Sequence, residues 1–234
     1  MDSEAGPMEI KVLSVARRQL GEVGPAALSL RAIAREVGVV PSALYRYFPG
    51  RDAILTALIR SSYQRLADAV ALAEGEVDRQ DLLGRWIVTW AGTRRWALEH
   101  RHEYALLYGT PVVGYQAPQD TVIPATRVLA LLAAIVVEAH PAPIPGHTET
   151  DGELRADALA VLEQMPALGM PRSPAIDASH VLAVIEAWTT LFGAISFELF
   201  GHYRNSVEHP AQYLEHLAQL SARRIAISSP NRTI

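Results

Sequence analysis

The chain of 234 residues contains no cysteine and little surplus charge of either sign, with a formal net charge of -4. Without cysteine it can form no disulfide framework, no zinc-thiolate or iron-sulfur site and no thiol nucleophile. Its longest uninterrupted apolar run, Val128 to Val137, is much shorter than the roughly 20 residues that span a bilayer. The first residues also lack the basic and apolar regions of a secretory signal. We therefore expect a soluble cytoplasmic protein with no membrane partner.

Charge is unevenly distributed along the chain. Residues 1–60 carry eight Lys or Arg and six Asp or Glu, a net charge of +2. The remaining residues carry thirteen basic and nineteen acidic side chains, a net charge of -6. The mean charge argues mildly against a nucleic-acid partner, but the basic N-terminal part removes that objection. A short basic part joined to a longer acidic part suggests two tasks on one chain.

Apolar residues recur at spacings of three and four along almost every long segment, which is the period of a helix with one buried face. No long stretch alternates apolar and polar residues as a half-buried strand would. We therefore predict an all-α protein. Breaks at glycine and proline divide it into ten predicted helices at about 10–21, 30–37, 41–48, 51–73, 79–99, 101–108, 124–139, 151–168, 177–203 and 210–227.

The segment from Ser29 to Phe48 has the local signals of two short helices joined by a sharp turn. Ser29 can cap the first helix, and Gly38 can adopt the left-handed conformation that turns the chain. Pro41 suits the first position of the second helix, because its missing N–H is not needed there. Leu44 and Phe48 are expected to pack inward, so that the second helix can enter the major groove of DNA. The outer face then consists of Val40, Pro41, Ser42, Ala43, Tyr45, Arg46 and Tyr47.

Residues 12–58 resemble the N-terminal domain of the TetR family of transcriptional regulators. The resemblance rests on Leu44-Tyr45-Arg46-Tyr47-Phe48-Pro49 followed by Arg51-Asp52, together with Ser29-Leu30, Ile33-Ala34 and Val37-Gly38-Val39. It implies a three-helix DNA-binding domain at 1–55, a larger helical ligand-binding and dimerisation domain at 56–227 and a flexible tail at 228–234. It also implies that Ser29, Tyr45, Tyr47 and Arg51 contact phosphates and that Val40, Pro41, Ser42 and Arg46 face bases.

Two positions of the expected recognition helix depart from the family pattern. The family commonly has serine where this chain has Val40, and a basic or small polar residue where it has Pro41. Fewer donors remain for contacts to bases, and Arg46 is the obvious side chain for a bidentate contact with guanine. Val40 can contact a thymine methyl group. We therefore expect DNA shape to contribute much of the specificity.

The longer C-terminal part resembles the ligand-binding domain of a TetR subgroup common in actinobacteria. That subgroup has a Trp-x3-Phe-Gly or Trp-x3-His-Gly motif in its penultimate helix, and this chain has Trp188-Thr-Thr-Leu-Phe192-Gly193. The resemblance implies an effector pocket in this domain. Clustered aromatic side chains can wall an apolar cavity, although ordinary core packing explains any single one of them equally well. The pocket, for a small and largely apolar effector, is predicted from Trp86, Trp90, Thr93, Trp96, Tyr104, Tyr108, Tyr115, Trp188 and Phe192.

The penultimate helix carries apolar residues on two faces. One face is expected to pack within its own protomer and the other against a partner. The family resemblance likewise implies a dimer made by the last two helices. We therefore predict a homodimer built from two copies of residues 177–227. Its interface is expected to include Ala187, Ala194, Phe197, Gly201, Tyr213, Leu217 and Leu220.

Enzymatic chemistry has little support in the sequence. His100, His102 and Glu103 form one group of possible metal ligands and Glu198 with His202 another, but neither has further ligands near it in the sequence. There is also no phosphate-binding glycine loop and no Ser/His/Asp signature. We predict no catalytic residue, metal or cofactor, and a homodimeric repressor that binds an inverted-repeat DNA operator until a small apolar effector releases it. The alternative is an all-helical enzyme or small-molecule carrier without DNA binding.

Overall fold

A computed structural model describes residues 6–109, 111–144, 152–170 and 175–228. Within these ranges it is built from α-helices and short 3-10 helices, which confirms the all-α prediction. The predicted tail at 228–234 lies outside the described residues except for residue 228. The helices are α1 Pro7–Val23, α2 Leu30–Val37, α3 Pro41–Tyr45, α4 Arg51–Gly75, α5 Leu82–Glu99, α6 Arg101–Tyr108, α7 Val122–Ala139, α8 Glu153–Gln164, α9 Ala178–Leu199 and α10 Pro210–Arg224.

The helices form two compact units. The first unit contains the described residues of Met1–Arg65 and His100–Pro124, and the second contains those of Leu66–Glu99 and Ala125–Ile234. Helix α4 therefore contributes residues to both units. The sequence prediction divided the chain once, after residue 55, whereas the structure groups α6 with the N-terminal helices because α6 packs against α1.

The first unit has one apolar core shared by α1, α2, α3 and the beginning of α4. Ile33 and Ala34 of α2 are fully buried, and α3 contributes the fully buried Leu44. Phe48, which follows α3, is only 3% exposed. Burying a large apolar side chain stabilises a fold by roughly 1.5–3 kcal/mol. Because a five-residue helix is not stable alone in water, the position of α3 depends on Leu44 and Phe48.

Helix α3 ends at Tyr45, three residues before its predicted end at Phe48. The backbone N–H groups of Tyr47 and Phe48 both donate to the carbonyl oxygen of Leu44, at 2.9 and 2.8 Å, which tightens the last turn. Pro49 also disfavours helical geometry at the residue before it. The chain therefore leaves the helix early, although Phe48 still reaches the core.

Several boundaries in the second unit also differ from prediction, and two of them have a clear local cause. Helix α9 ends four residues early because Gly201 adopts a left-handed conformation with φ of 80°, and the N–H of His202 donates to the carbonyl oxygen of Phe197 at 2.9 Å. Helix α5 begins three residues late. There the carboxylate of Asp81 accepts the N–H of Gly84 at 2.9 Å and so caps the helix.

The second unit is organised by α9 and α5. Helix α9 packs against α5, α8 and α10, and α5 also packs against α10. The side chain of Arg85 on α5 is 1% exposed and pairs with Glu74 of α4 and Glu138 of α7. Burial opposes the charge of this guanidinium, but the hydrogen bonds that it donates to both carboxylates, together with their negative charges, outweigh burial and raise the pKa of Arg85. This ion cluster joins three helices of the unit.

Two segments, Gln119–Ala139 and Ala178–Leu199, are long and apolar enough to cross a membrane by length and composition alone. The sequence prediction considered only uninterrupted apolar runs and did not identify them. Half of the Ala178–Leu199 window is buried, as in the core helix of a globular protein, whereas 22% of the Gln119–Ala139 window is buried. Apolar composition here is therefore weak support for a membrane span.

Replacing Gly38 with alanine is expected to destabilise the protein by about 1 kcal/mol. Gly38 has a φ of 83°, which L-residues rarely adopt, and an added Cβ meets no atom within 4 Å. The cost is therefore conformational rather than steric. Gly50→Ala is the matched control, because its Cβ also meets no atom within 4 Å and its φ is not positive. Urea unfolding followed by circular dichroism gives the free energy of unfolding of both variants. Equal values for Gly38→Ala and Gly50→Ala would contradict a conformational cost at Gly38.

Candidate nucleic-acid interface

Helix α3 presents one continuous exposed surface. Its inward side chain is Leu44, whereas Val40, Tyr45 and Tyr47 are 66%, 49% and 54% exposed. Pro41, Ser42 and Arg46 are exposed as well, and Ala43 is partly exposed. We name residues 40–43 and 45–47 the recognition surface. The inside and outside of α3 are therefore arranged as the sequence pattern predicts.

Local hydrogen bonds fix the helix that precedes the recognition surface. Ser29 is the N-cap of α2, and its hydroxyl oxygen accepts the N–H of Ala32 at 3.5 Å. At the other end Gly38 donates its N–H to the carbonyl oxygen of Ala34, and the ammonium group of Lys11 donates to that of Val37 at 2.9 Å. Each end of α2 thus has a side-chain hydrogen bond to its backbone, which helps to fix the direction in which the chain enters α3.

The four residues predicted to contact phosphates differ in how much hydrogen-bonding capacity they retain for DNA. The Tyr45 and Tyr47 side chains are exposed, whereas the Ser29 hydroxyl already accepts a bond as the N-cap and retains only its own hydrogen to donate. Arg51 donates to the carbonyl oxygen of Ala26 at 3.2 Å and to the carboxylate of Asp52 at 3.3 Å. Its guanidinium is held close to the start of α4, and the remaining N–H groups of this guanidinium can still donate to a phosphate.

Two arginines that sequence reasoning left out also lie on this unit. Arg31 and Arg35 are exposed on α2, and neither forms an ion pair within the described parts of the chain. By contrast, the nearby Glu36 is engaged by Arg18 and Gln19 of α1. The basic character of the first 60 residues, already visible in the sequence, was the signal that could have identified these two arginines.

A buried carboxylate connects α6 to the helices of the same unit. Glu103 is 3% exposed and accepts from Arg17 of α1 at 3.1 Å. It also accepts from Ser62 at 2.7 Å and from Arg65 at 2.7 and 2.9 Å, both on α4. Arg65 further contacts the ring nitrogen of His100 at 2.9 Å. Sequence reasoning considered Glu103 only as a possible metal ligand and did not identify this cluster, because the partners of Glu103 are distant along the chain.

The predicted aromatic pocket residues fall into separate groups. Tyr104, Tyr108 and Tyr115 belong to the first unit. The rings of Tyr104 and Tyr108 have centroids 5.0 Å apart, and Tyr63 meets Tyr108 edge-on at 5.9 Å. Burial, with the neighbouring tyrosines, raises the pKa of Tyr108. The Tyr115 hydroxyl lies 2.9 Å from that of Thr56 on α4.

The remaining pocket residues belong to the second unit, and most of them are buried. The indole N–H of Trp86 donates to the carbonyl oxygen of Ala218 at 3.1 Å, and the Thr93 hydroxyl donates within its own helix to Thr89 at 2.8 Å. Trp90 is 1% exposed and has no partner for its indole N–H among the described residues. Trp96 is also buried, whereas Trp188 is 37% exposed beside the buried Phe192.

The residues predicted at a dimer interface divide into buried and exposed sets. Ala187 is 1% exposed and Ala194 is 8% exposed, so both pack within their own protomer. Gly201 lies in the turn after α9. The exposed apolar stripe consists instead of Phe197 and Phe200 at the end of α9, with Tyr213, Leu220 and the partly buried Leu217 on α10. Ile185 and Trp188 are also exposed, but helical spacing places Trp188 on the opposite side of α9 from Phe197.

A two-helix element whose second helix is exposed and begins beside a left-handed glycine turn has the geometry of the helix-turn-helix of DNA-binding proteins. Residues 12–58 match the family model for "Bacterial regulatory proteins, tetR family", and residues 86–220 match that for "Tetracyclin repressor-like, C-terminal domain". The chain belongs to the TetR family of bacterial transcriptional regulators. It is a DNA-binding regulator and not an enzyme, which rules out the enzyme alternative.

Named relatives agree with this assignment over most of the chain. "HTH-type transcriptional regulator Mb1846" of Mycobacterium bovis and "HTH-type transcriptional regulator Rv1816" of Mycobacterium tuberculosis are each 36% identical over 198 residues, covering 84% of this chain and 82% of the relative. The solved structure of regulatory protein SCO4313 has a TM-score of 0.70 and 30% identity, and the match covers 91% of this chain and 93% of that one.

Replacing Glu103 with glutamine is expected to lower the free energy of unfolding by about 2 kcal/mol. The amide keeps the shape but removes the charge that pairs with Arg17 and Arg65 and leaves their donors poorly satisfied. Glu22→Gln is the matched control, because Glu22 pairs with Arg18 at 3.5 Å and both side chains are more than half exposed. Urea unfolding measures the free energy of unfolding of both variants. If Glu103→Gln lowers it by no more than Glu22→Gln does, the ion pairs of Glu103 do not stabilise this unit.

Proposed function

We propose that this regulator is a cytoplasmic homodimeric repressor that binds an inverted-repeat operator. The observation that carries the proposal is the exposed recognition surface of α3 within a segment that matches the DNA-binding domain of the family. Two copies of α3 would enter successive major grooves, roughly 34 Å apart, one on each half-site. The symmetry of the dimer would then match the symmetry of the operator.

Within each half-site, different side chains would contact bases and phosphates. Arg46 is the only charged side chain on it and would contact guanine through two hydrogen bonds. Val40, Pro41 and Ser42 would face neighbouring base edges, with Val40 suited to a thymine methyl group. Phosphates would be contacted by Ser29, Tyr45, Tyr47 and Arg51. Because few of these groups can read bases directly, the shape of the operator would supply much of the specificity.

The exposed α2 arginines extend this interface. The first helix of a helix-turn-helix crosses the DNA backbone, and Arg31 and Arg35 are exposed on α2 without a described ion pair. We include both as phosphate contacts. They would contribute affinity that is independent of sequence and that decreases as salt rises.

Dimerisation would use the exposed apolar stripe of α9 and α10. Phe197 is 52% exposed, Phe200 is 45% exposed and Tyr213 is 39% exposed. Tyr203 packs against both Phe197 and Tyr213, so these rings form a contiguous exposed patch of the kind that marks an interaction surface. Leu217 and Leu220 lie along the same face of α10 at helical spacing. The predicted Ala187 and Ala194 would support this interface from beneath rather than contact the partner directly.

Release from DNA would follow the binding of a small, largely apolar effector to the ligand-binding domain. Helix α4 is continuous from Arg51 to Gly75 and is the physical link between the DNA-binding end of the chain and the second unit. An effector that binds one conformation of the second unit better than another would shift α4, and with it the spacing of the two recognition surfaces. The predicted pocket positions that lie in the second unit remain candidates for its wall: Trp86, Trp90, Thr93, Trp96, Trp188 and Phe192.

Arg46→Ala is expected to weaken specific operator binding by roughly 1–3 kcal/mol and to relax the base preference at one position of each half-site. Tyr47→Phe is expected to weaken binding to all sequences alike, because it removes a phosphate contact. Arg95→Ala is the control, since Arg95 is an exposed arginine of α5. Fluorescence anisotropy on a fragment selected from genomic DNA measures these changes. If Arg46→Ala binds as tightly and selectively as wild type, the assignment of Arg46 is wrong.

Phe197→Glu is expected to produce monomers and to reduce operator affinity by more than about tenfold, because one monomer contacts only one half-site. Leu72→Glu is the matched control, since Leu72 is 71% exposed on α4 and lies outside the apolar stripe. Light scattering after size-exclusion chromatography gives the mass of each variant. A Phe197→Glu protein that remains dimeric would place the interface elsewhere.

A further inference from the structure

A narrow apolar cavity of about 40 Å³ lies among α7, α8 and α9 in the second unit. Ten of the eleven residues in its wall are alanine, valine, leucine, isoleucine or methionine, and the eleventh is His180. A cavity of about 150 Å³ is large enough for benzene, so this smaller one has no room for a six-membered ring. The space is suited to part of an aliphatic chain instead.

The cavity exists because α7 does not pack closely on the other two helices. Helices α8 and α9 pack against each other, whereas the backbone of α7 approaches neither of them closely along its length. On α7, Leu129, Ala133 and Val137 recur every four residues and line the cavity. Ala133 is the smallest of the three and lies in the middle of the row. It therefore leaves the space that a larger side chain would fill.

Helix α7 has more apolar surface than its core contacts use. Between Arg127 and Glu138 it carries only apolar residues, and 22% of the Gln119–Ala139 window is buried. Leu132 and Ile135 are fully buried, whereas the row that lines the cavity is only partly buried. A void leaves the apolar atoms beside it without contact partners. An apolar molecule in the cavity would supply those contacts.

Two methionines make the wall opposite α7 adaptable. Met165 and Met170 are 5% and 7% exposed and lie in the segment between α8 and α9. The N–H of Met170 donates to the carbonyl oxygen of Met165 at 2.9 Å, which fixes the backbone between them. A methionine side chain is unbranched, has three rotatable bonds and fills irregular gaps. These side chains can therefore move to admit a chain while the backbone stays in place.

His180 is the one polar side chain in the wall, and both of its ring nitrogens are already paired. They lie 2.8 Å from the Asp177 carboxylate and 2.8 Å from the carbonyl oxygen of His140. Within the described residues, no side chain of the wall is left to pair with a polar atom of a ligand, and burying such an atom unpaired is costly. Ile185 is the most exposed residue of the wall, at 36%, so the cavity opens beside it.

We propose that this cavity binds the methyl end of an unbranched aliphatic chain, whose polar head stays outside beside Ile185. The chemical class is a molecule that carries an alkyl or acyl chain. This site shares no residue with the aromatic pocket predicted from the sequence. Its use as the effector site rests on the proposed function, whereas its ability to hold an aliphatic chain does not.

Three probes with six carbons each test the site. 1-Hexanol is a straight chain with one hydroxyl, cyclohexanol closes the carbons into a ring, and 1,6-hexanediol has a hydroxyl at both ends. The chain has four methionines, so ¹³C-methyl labelling gives four methionine signals. Met165→Leu and Met170→Leu identify the two that belong to the cavity, and Met8 of the first unit provides an internal reference.

In wild type, 1-hexanol is expected to move the Met165 and Met170 signals in a saturable manner and to leave the Met8 signal in place. Cyclohexanol should move none of them, because its ring does not fit. 1,6-Hexanediol should bind at least about fivefold more weakly than 1-hexanol, because one of its hydroxyl groups would be buried without a partner. The proposal is overturned if 1-hexanol moves neither cavity signal, or if either of the other probes binds as tightly as 1-hexanol.

Two variants on α7 locate the site. Ala133→Leu fills the middle of the cavity and should abolish the response of the cavity signals to 1-hexanol. Ala134→Leu is the matched control, because Ala134 is the next residue, is exposed and lies outside the wall. Circular dichroism reports whether both variants keep their helices. An Ala133→Leu protein that binds 1-hexanol like wild type would overturn the site, and the comparison of probes on wild type tests the proposal even if Ala133→Leu does not fold.

Operator binding, measured on the same preparations without probe, separates this proposal from the proposed function. A protein that binds 1-hexanol at Met165 and Met170 but binds no DNA supports the site and overturns the repressor. A protein that binds its operator but shows no response at these methionines overturns the site and leaves the repressor standing. A further outcome concerns the use of the site: an operator affinity unchanged by saturating 1-hexanol would overturn its assignment as the effector site.

Discussion

The DNA-binding end of this protein depends on the burial of Leu44 and Phe48. Helix α3 has five residues, too few to be stable in water, and its backbone hydrogen bonds alone cannot fix its orientation. Two buried side chains, one within the helix and one after it, attach it to the core formed by α1, α2 and α4. Once they are buried, the remaining side chains of the segment have nowhere to lie except on the surface. The exposed face that we propose to read DNA is thus a consequence of core packing.

Buried charged side chains constrain which helices meet in both units. Glu103 joins α6 to α1 and α4, with partners 86 and 38 residues away, and Glu74 with Glu138 surrounds the buried Arg85 in the second unit. Apolar side chains can pack with many neighbours, but a buried charge requires its own partner. Misplacing any of these helices would leave a charge without compensation at a cost of several kcal/mol. The ion clusters therefore specify the arrangement more strictly than they stabilise it.

Sequence reasoning succeeded where the signal is local. Gly38, Pro41 and Ser29 each act on a few neighbouring residues, and the structure has each in the predicted turn or cap. The early end of α3 was not predicted, because it depends on two amides that share one carbonyl oxygen before Pro49. Nor could periodicity separate the tyrosines of 104–115 from the tryptophans of α5, since helical spacing gives the face of a residue but not its neighbours.

Trp86 and Trp90 illustrate this limit most sharply. They lie one turn apart on the same face of α5, and no pattern in the sequence distinguishes them. Only the approach of α10 does so, because a backbone carbonyl of that helix accepts from Trp86 and none of the described acceptors reaches Trp90. A phenylalanine at position 90 would fill much of the same space without burying a donor at a cost of roughly 1–3 kcal/mol. The sequence places an indole at both positions, whereas the surroundings of each indole decide whether its N–H is paired.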